Sequence, residues 1–165
     1  MSLTLPARTA PPPDDGRPWV EDPLPEGRLC WTWQPSDLSH LPGVRRELRA
    51  HLTHASVGTP QLDAEQVVGA VAALDELMSN AFRHGLAPVR VAVSAVPEGV
   101  LLVVTDHAPA VGLSPTSTRD PGLGGMGLGM VAADACSTGC TTDGAVKHVW
   151  AVLPGRGPAR PLSAA

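Results

Sequence analysis

The apolar positions change period several times along the chain, and each change marks an element. Residues 28–34 (RLCWTWQ) alternate, with Leu29, Trp31 and Trp33 on one face and Cys30 and Thr32 on the other, the pattern of a strand half-buried against a core. After Ser36, Leu38, Leu41, Val44 and Leu48 recur at near-helical spacing, which predicts a first helix from Leu38 to about His54 despite Pro42 in its early turns. Asp63 then stands as the cap of a longer helix running to about His84, with Gly85 as its terminator. Two β-branched runs, residues 88–95 and 100–106, flank Pro97-Glu98-Gly99 and read as a hairpin. A short helix over Met126–Cys136 precedes two further strands, Ser137–Thr142 and Ala145–Leu153, around an Asp143-Gly144 turn.

Strands that come as hairpins on either side of a helix predict an α+β, two-layer sandwich, its antiparallel or mixed sheet covered by helices on one face. Residues 107–125, rich in Gly, Pro, Ser and Thr, predict a long loop, a length unusual enough in a small domain to suggest a ligand lid. The proline-rich stretch 1–26 reads as a disordered tail, residues 27–154 as one domain, and residues 155–165 as a flexible end.

Composition narrows the function. The chain has 165 residues, enough for a single core. Its 12 Lys and Arg against 16 Asp and Glu leave no basic surplus for phosphate backbones, and one Phe with no Tyr leaves little to stack on bases. Nucleic acid is therefore not expected as a direct partner. No apolar run approaches the roughly 20 residues of a membrane span, and the Pro-rich start is unlike a signal peptide, so the expectation is a soluble, cytoplasmic protein without membrane partners. Three cysteines, an odd number and without zinc-like spacing, read as reduced thiols.

Three segments could carry chemistry. On the second helix, Val67, Val71, Leu74, Met78, Ala81 and Phe82 fall on one stripe, while Glu76, Asn80 and Arg83 fall opposite, near Gly69, Ala72 and Ala73. That second stripe reads either as a solvated face or as one kept small for a ligand. An acid and an amide one turn apart offer Mg²⁺ hard oxygen ligands and leave its other positions to water and phosphate. Asp106 ends an apolar strand, where a carboxylate can accept from an exocyclic amine or simply form a turn. Residues 122–129 hold five glycines directly before a helix, which reads as a nest for an anion or as a hinge. The histidines of the first helix, His40, His51 and His54, lack the acidic neighbour of a phospho-acceptor and read as surface or core residues.

Residues 75–85 (DELMSNAFRHG) resemble the N box of the GHKL, or histidine kinase-like, ATPase superfamily. Thr105-Asp106-His107-Ala108 resembles its first glycine box, and Gly125-Met126-Gly127-Leu128-Gly129-Met130 its second. With the closing strand Val146-Lys147-His148-Val149-Trp150, the chain is most similar to anti-sigma factor serine/threonine kinases of the actinobacterial kind, over residues 28–154. The resemblance implies a Bergerat-type sandwich with a mostly antiparallel sheet, about three helices and an ATP lid loop, and ATP and Mg²⁺ as cofactors. It makes Asn80 and Glu76 metal ligands, Glu76 also the general base, and Asp106 the acceptor of the adenine amine. Gly127 and Gly129 would line the phosphates, and Arg83, Ala108, Gly125, Leu128 and His148 are the other nucleotide-binding positions it transfers.

The implied activity is phosphoryl transfer to a serine or threonine of an anti-sigma antagonist in a partner-switching system. The implied partners are a sigma factor, the antagonist and a second copy of the chain. One departure motivates an alternative, a non-catalytic module of the same fold that sequesters a sigma factor or antagonist. Where the family has Asp-x-Gly-x-Gly, this chain has Asp106-His107-Ala108-Pro109-Ala110, whose Cβ atoms and proline crowd the backbone.

Overall fold

The computed structural model describes Trp19, residues 21–108 and residues 126–156. Its strands β1 (Arg28–Trp33), β2 (Arg90–Val96), β3 (Gly99–Asp106), β4 (Ser137–Asp143) and β5 (Val146–Pro154) form one sheet in the order β1-β2-β3-β5-β4. Every neighbouring pair is antiparallel. Helices α1 (Leu41–Thr53), α2 (Ala64–His84) and α3 (Met126–Asp134) pack on one face. There the main core joins Leu48, Leu74, Met78 and Leu128 to the inward row Val91, Val93, Leu102, Val104, Val149 and Ala151. The alternate strand positions Val96, Leu101, Val103, Trp150 and Val152 cluster on the other face. The α+β two-layer sandwich expected from the pattern is the fold found. Among the described residues no helix is long and apolar enough to cross a membrane.

Local chemistry explains the element ends. Asp63 Oδ1 accepts from Gln66 N at 2.9 Å while Gln66 Oε1 accepts from Asp63 N at 2.9 Å, a reciprocal cap that fixes the start of α2. The first helix begins with a 3-10 turn, Leu38–His40, capped by Asp37. Pro42 then sits in the first turn of α1, where a missing N–H leaves no bond unmade. The second hairpin turns on Gly144-Ala145, one residue later than expected, because Asp143 pairs with Val146 and the positive φ of 58° falls on Gly144.

Two readings of the chain need correction. The register of β1 slips between Leu29, opposite Ser94, and Trp31, opposite Val93. The extra residue Cys30 is a bulge, so Leu29 leaves the face of Trp31 and Trp33 and is 61% exposed while the two tryptophans pack on the core. The stretch taken as tail is anchored before residue 27. Trp19 is buried in the main core, Glu21 bridges Cys140 in parallel, and Asp22 N donates to Cys140 O at 3.2 Å. Proline content argues against a helix there, but an extended segment along a sheet edge tolerates it. At the other end Gly155 N donates to Glu98 O at 2.9 Å and Arg156 N to Gln61 O at 2.8 Å, so the chain stays bonded past residue 154. Residues 109–125, the greater part of the expected lid loop, lie outside the described residues, as do residues 1–18 and 157–165.

Candidate functional site

The reciprocal cap sets the rotation of α2, and Val67, Val71, Leu74, Leu77, Met78 and Ala81 bury its apolar side. Glu76 and Asn80, one turn apart, are left half-buried on the flank. The small residues expected beside them divide, since Ala73 is buried, Gly69 half-buried and Ala72 exposed. Against that flank lies α3, anchored to the core by Leu128 and Val131. The approach is close enough that a Cβ at Gly127 would collide with Glu76 Oε2. The Glu76 carboxylate thus fills the space a side chain at 127 would take, and the first turn of α3 is brought to Glu76. A helix N-terminus carries unpaired N–H groups and the positive end of the dipole, so this corner favours negative charge.

The second part of the site is at the end of β3. Asp106 is 1% exposed, its Oδ1 accepting from Ala108 N at 2.8 Å. Its Oδ2 lies 3.1 Å from Lys147 Nζ, with side chains 1% and 2% exposed respectively. That approach misses hydrogen-bond geometry, and among the described residues Oδ2 is left buried without a hydrogen-bond partner. An acceptor held at such depth with a lone pair unused is a place for a ligand's donor. Gly85, at the end of α2, lets the two elements meet: a Cβ there would stand 2.6 Å from Asp106 Cγ. Gly85 follows Glu76 by nine positions, about 13 Å of helical rise, so the two parts of the site stand well apart along α2.

The remaining candidates divide. Ala108 is buried beside Asp106, its methyl group where a glycine would leave the backbone open. Leu128 points into the core, which leaves only its backbone for a ligand. Arg83 is exposed on the last turn of α2. Gly129 is exposed, and among the described residues nothing lies near a Cβ built there. Gly125 falls outside the described residues. His148 is not brought to Asp106: strand alternation turns it to the other face, where its Nδ1 lies 2.8 Å from Thr105 Oγ1.

The side chain of β5 that reaches Asp106 is Lys147, opposite it in register, and sequence reasoning missed it. The signal was available. Lys147 shares parity with Val149, Ala151 and Leu153, the buried row, so a cation there requires a buried counter-charge.

Among the described residues no three His, Cys, Asp or Glu side chains gather into a metal cage. A cation at Glu76 and Asn80 would therefore take most of its ligands from water or a bound anion, which suits Mg²⁺. Residues 34–152 match the family model of the histidine kinase-like ATPase domain. No curated protein matches the chain.

Proposed function

We propose that this chain, which belongs to the histidine kinase-like ATPase domain family, is a Mg-ATP-dependent regulator of the anti-sigma kinase type. Its reaction is transfer of the ATP γ-phosphoryl group to a serine or threonine of an antagonist protein. The observation that carries the reading is the contact of Glu76 with Gly127, which joins the acid of the N box to the amide-bearing turn of the second glycine box. The Oδ2 of Asp106, which has no hydrogen-bond partner among the described residues, supports it from the other end, since an adenine amine would supply a donor.

Bound Mg-ATP supplies the phosphoryl group and the charge neutralisation its transfer needs. Asn80 and Glu76 would hold the Mg²⁺ that neutralises the phosphate charge. Glu76, close to the reacting end, accepts the proton of the attacking hydroxyl. The amides around Gly127 stabilise charge on the phosphate oxygens. Asp106 orients the base, so that both ends of the nucleotide are fixed before transfer.

Titration of the protein with ATP, with and without Mg²⁺, in a calorimeter tests the reading. Mg-dependent binding is expected, and no heat at millimolar nucleotide overturns it. Incubation with labelled ATP and a candidate antagonist then reads the transfer itself. One observation favours a second reading. The methyl of Ala108 is packed where the family's glycine leaves space, which suits a module that holds a sigma factor or antagonist without phosphorylating it. A stable complex with no label on the antagonist is the outcome that selects that module.

A further inference from the structure

We infer that Lys147 is a positioning residue for base recognition: its ammonium keeps Asp106 a hydrogen-bond acceptor inside the fold. This rests on the nucleotide site proposed above. A carboxyl taken this far from water without a counter-charge passes to its neutral form, because burial penalises the ion. A neutral carboxyl would offer its hydrogen to an incoming amine, which also donates. Lys147 Nζ at 3.1 Å prevents that, and its off-axis approach leaves the Oδ2 lone pair open.

The fold itself does not need the pair. Lys147 occupies a row whose other members are Val149, Ala151 and Leu153, and a buried ion pair replaced by well-packed apolar residues is often neutral or stabilising. Other groups around the pair do not substitute for the lysine. Cys140 faces it from β4 with a thiol that burial pushes up, away from the thiolate. Gly85 faces it from the end of α2 and brings no charge, while Arg83 and His84 of that turn are exposed. His107 follows Asp106, but its Nδ1 lies 3.2 Å from Pro88 O. The ammonium is the cation within reach among the described residues.

The test compares Mg-ATP affinity between pH 6 and pH 9 for the parent, Lys147→Met and Lys147→Arg, by calorimetry. With the ammonium removed, the buried Asp106 has no counter-charge beside it, so ATP binding by the variant should be favoured as pH rises. Lys147→Met should bind ATP roughly 10- to 100-fold more weakly than the parent near neutral pH, the loss of one hydrogen bond to a charged group, and recover toward alkaline pH. Lys147→Arg, which keeps the charge, should follow the parent. A merely structural lysine would not make affinity climb with pH.

Equal affinity of Lys147→Met and parent at every pH overturns the inference and leaves the nucleotide site standing, whereas a parent that binds no ATP overturns both. Should Lys147→Met not fold, the ¹³C carboxyl signal of Asp106 in the parent decides. A carboxylate signal at neutral pH supports the inference, and a protonated carboxyl there overturns it.

Discussion

The α-carbon of Gly85 rests against the carboxyl of Asp106, so close that a methyl group in its place would stand 2.6 Å from Asp106 Cγ and 2.5 Å from the Ala81 carbonyl oxygen. Its backbone, at φ −88° and ψ −176°, is one any residue adopts. The glycine is therefore demanded by space and not by conformation. Gly85→Ala should force the end of α2 away from β3, costing about 1–3 kcal/mol of stability as an overpacked site does. It should also weaken ATP binding, because Asp106 moves with it. Denaturant unfolding and nucleotide titration of the variant check both, and an unchanged midpoint would mean the contact relaxes freely.

Asn80→Ala separates the metal from the fold. Asn80 lies outside the apolar side of α2, so its loss should leave the unfolding midpoint near that of the parent. The Mg-dependent part of ATP affinity should fall by at least the roughly 10- to 100-fold that even outer partners of metal ligands cost. Glu76→Gln addresses catalysis. It keeps the volume against Gly127 but removes the base, so phosphoryl transfer should drop about 10²- to 10⁴-fold while nucleotide still binds. Full transfer by the glutamine variant would remove Glu76 from the chemistry.

Most of the fold was legible because its signals are local. The Asp63 cap, the alternation of residues 88–106 and the glycine of the second hairpin each act within a few residues, and the elements they predict are found. The misreadings come from contacts remote in sequence. Cys30 bulges only in pairing with β2, and Trp19 is held by the core while Glu21, two residues on, bridges the edge strand β4. The site divides the same way. Glu76 and Asn80 follow from helical periodicity, whereas the Asp106–Lys147 pair depends on the register between β3 and β5. The resemblance transfers His148 by its position in a motif, but parity along the strand decides which of two neighbours faces inward.

The thiols offer a pH-dependent readout. Burial pushes both Cys136 and Cys140 above the ordinary thiol range, and for Cys140 the nearby Lys147 opposes the rise while Asp106 and Glu21 add to it. A raised pKa lowers the thiolate fraction near neutral pH, so both residues should label slowly with an alkylating reagent. The rate should climb about tenfold per pH unit until the thiol ionises. At alkaline pH, where Asp106 is expected to be a carboxylate in the variant as well, Lys147→Met removes the one opposing charge and should slow Cys140 further. Mass-spectrometric labelling against pH follows each residue separately, and equal Cys140 rates in parent and variant would contradict the contact.

Trp19 tests whether the segment before residue 27 belongs to the domain. It is buried in the main core although the sequence around it is mostly proline and acid, and among the described residues its Nε1 is buried without a hydrogen-bond partner. The two facts pull in opposite directions. Removing the indole should cost about 3–5 kcal/mol through lost apolar contact and the cavity left behind, so Trp19→Ala should lower the unfolding midpoint strongly. Trp19→Phe keeps much of the ring while deleting the unpaired N–H, whose burial is itself unfavourable by about 1–3 kcal/mol. The phenylalanine variant should therefore lie close to the parent, far above the alanine one. Denaturant titrations of the three proteins give the order directly. If alanine were tolerated as well as phenylalanine, Trp19 would contribute no packing energy and the segment would be the loose tail its proline content suggests.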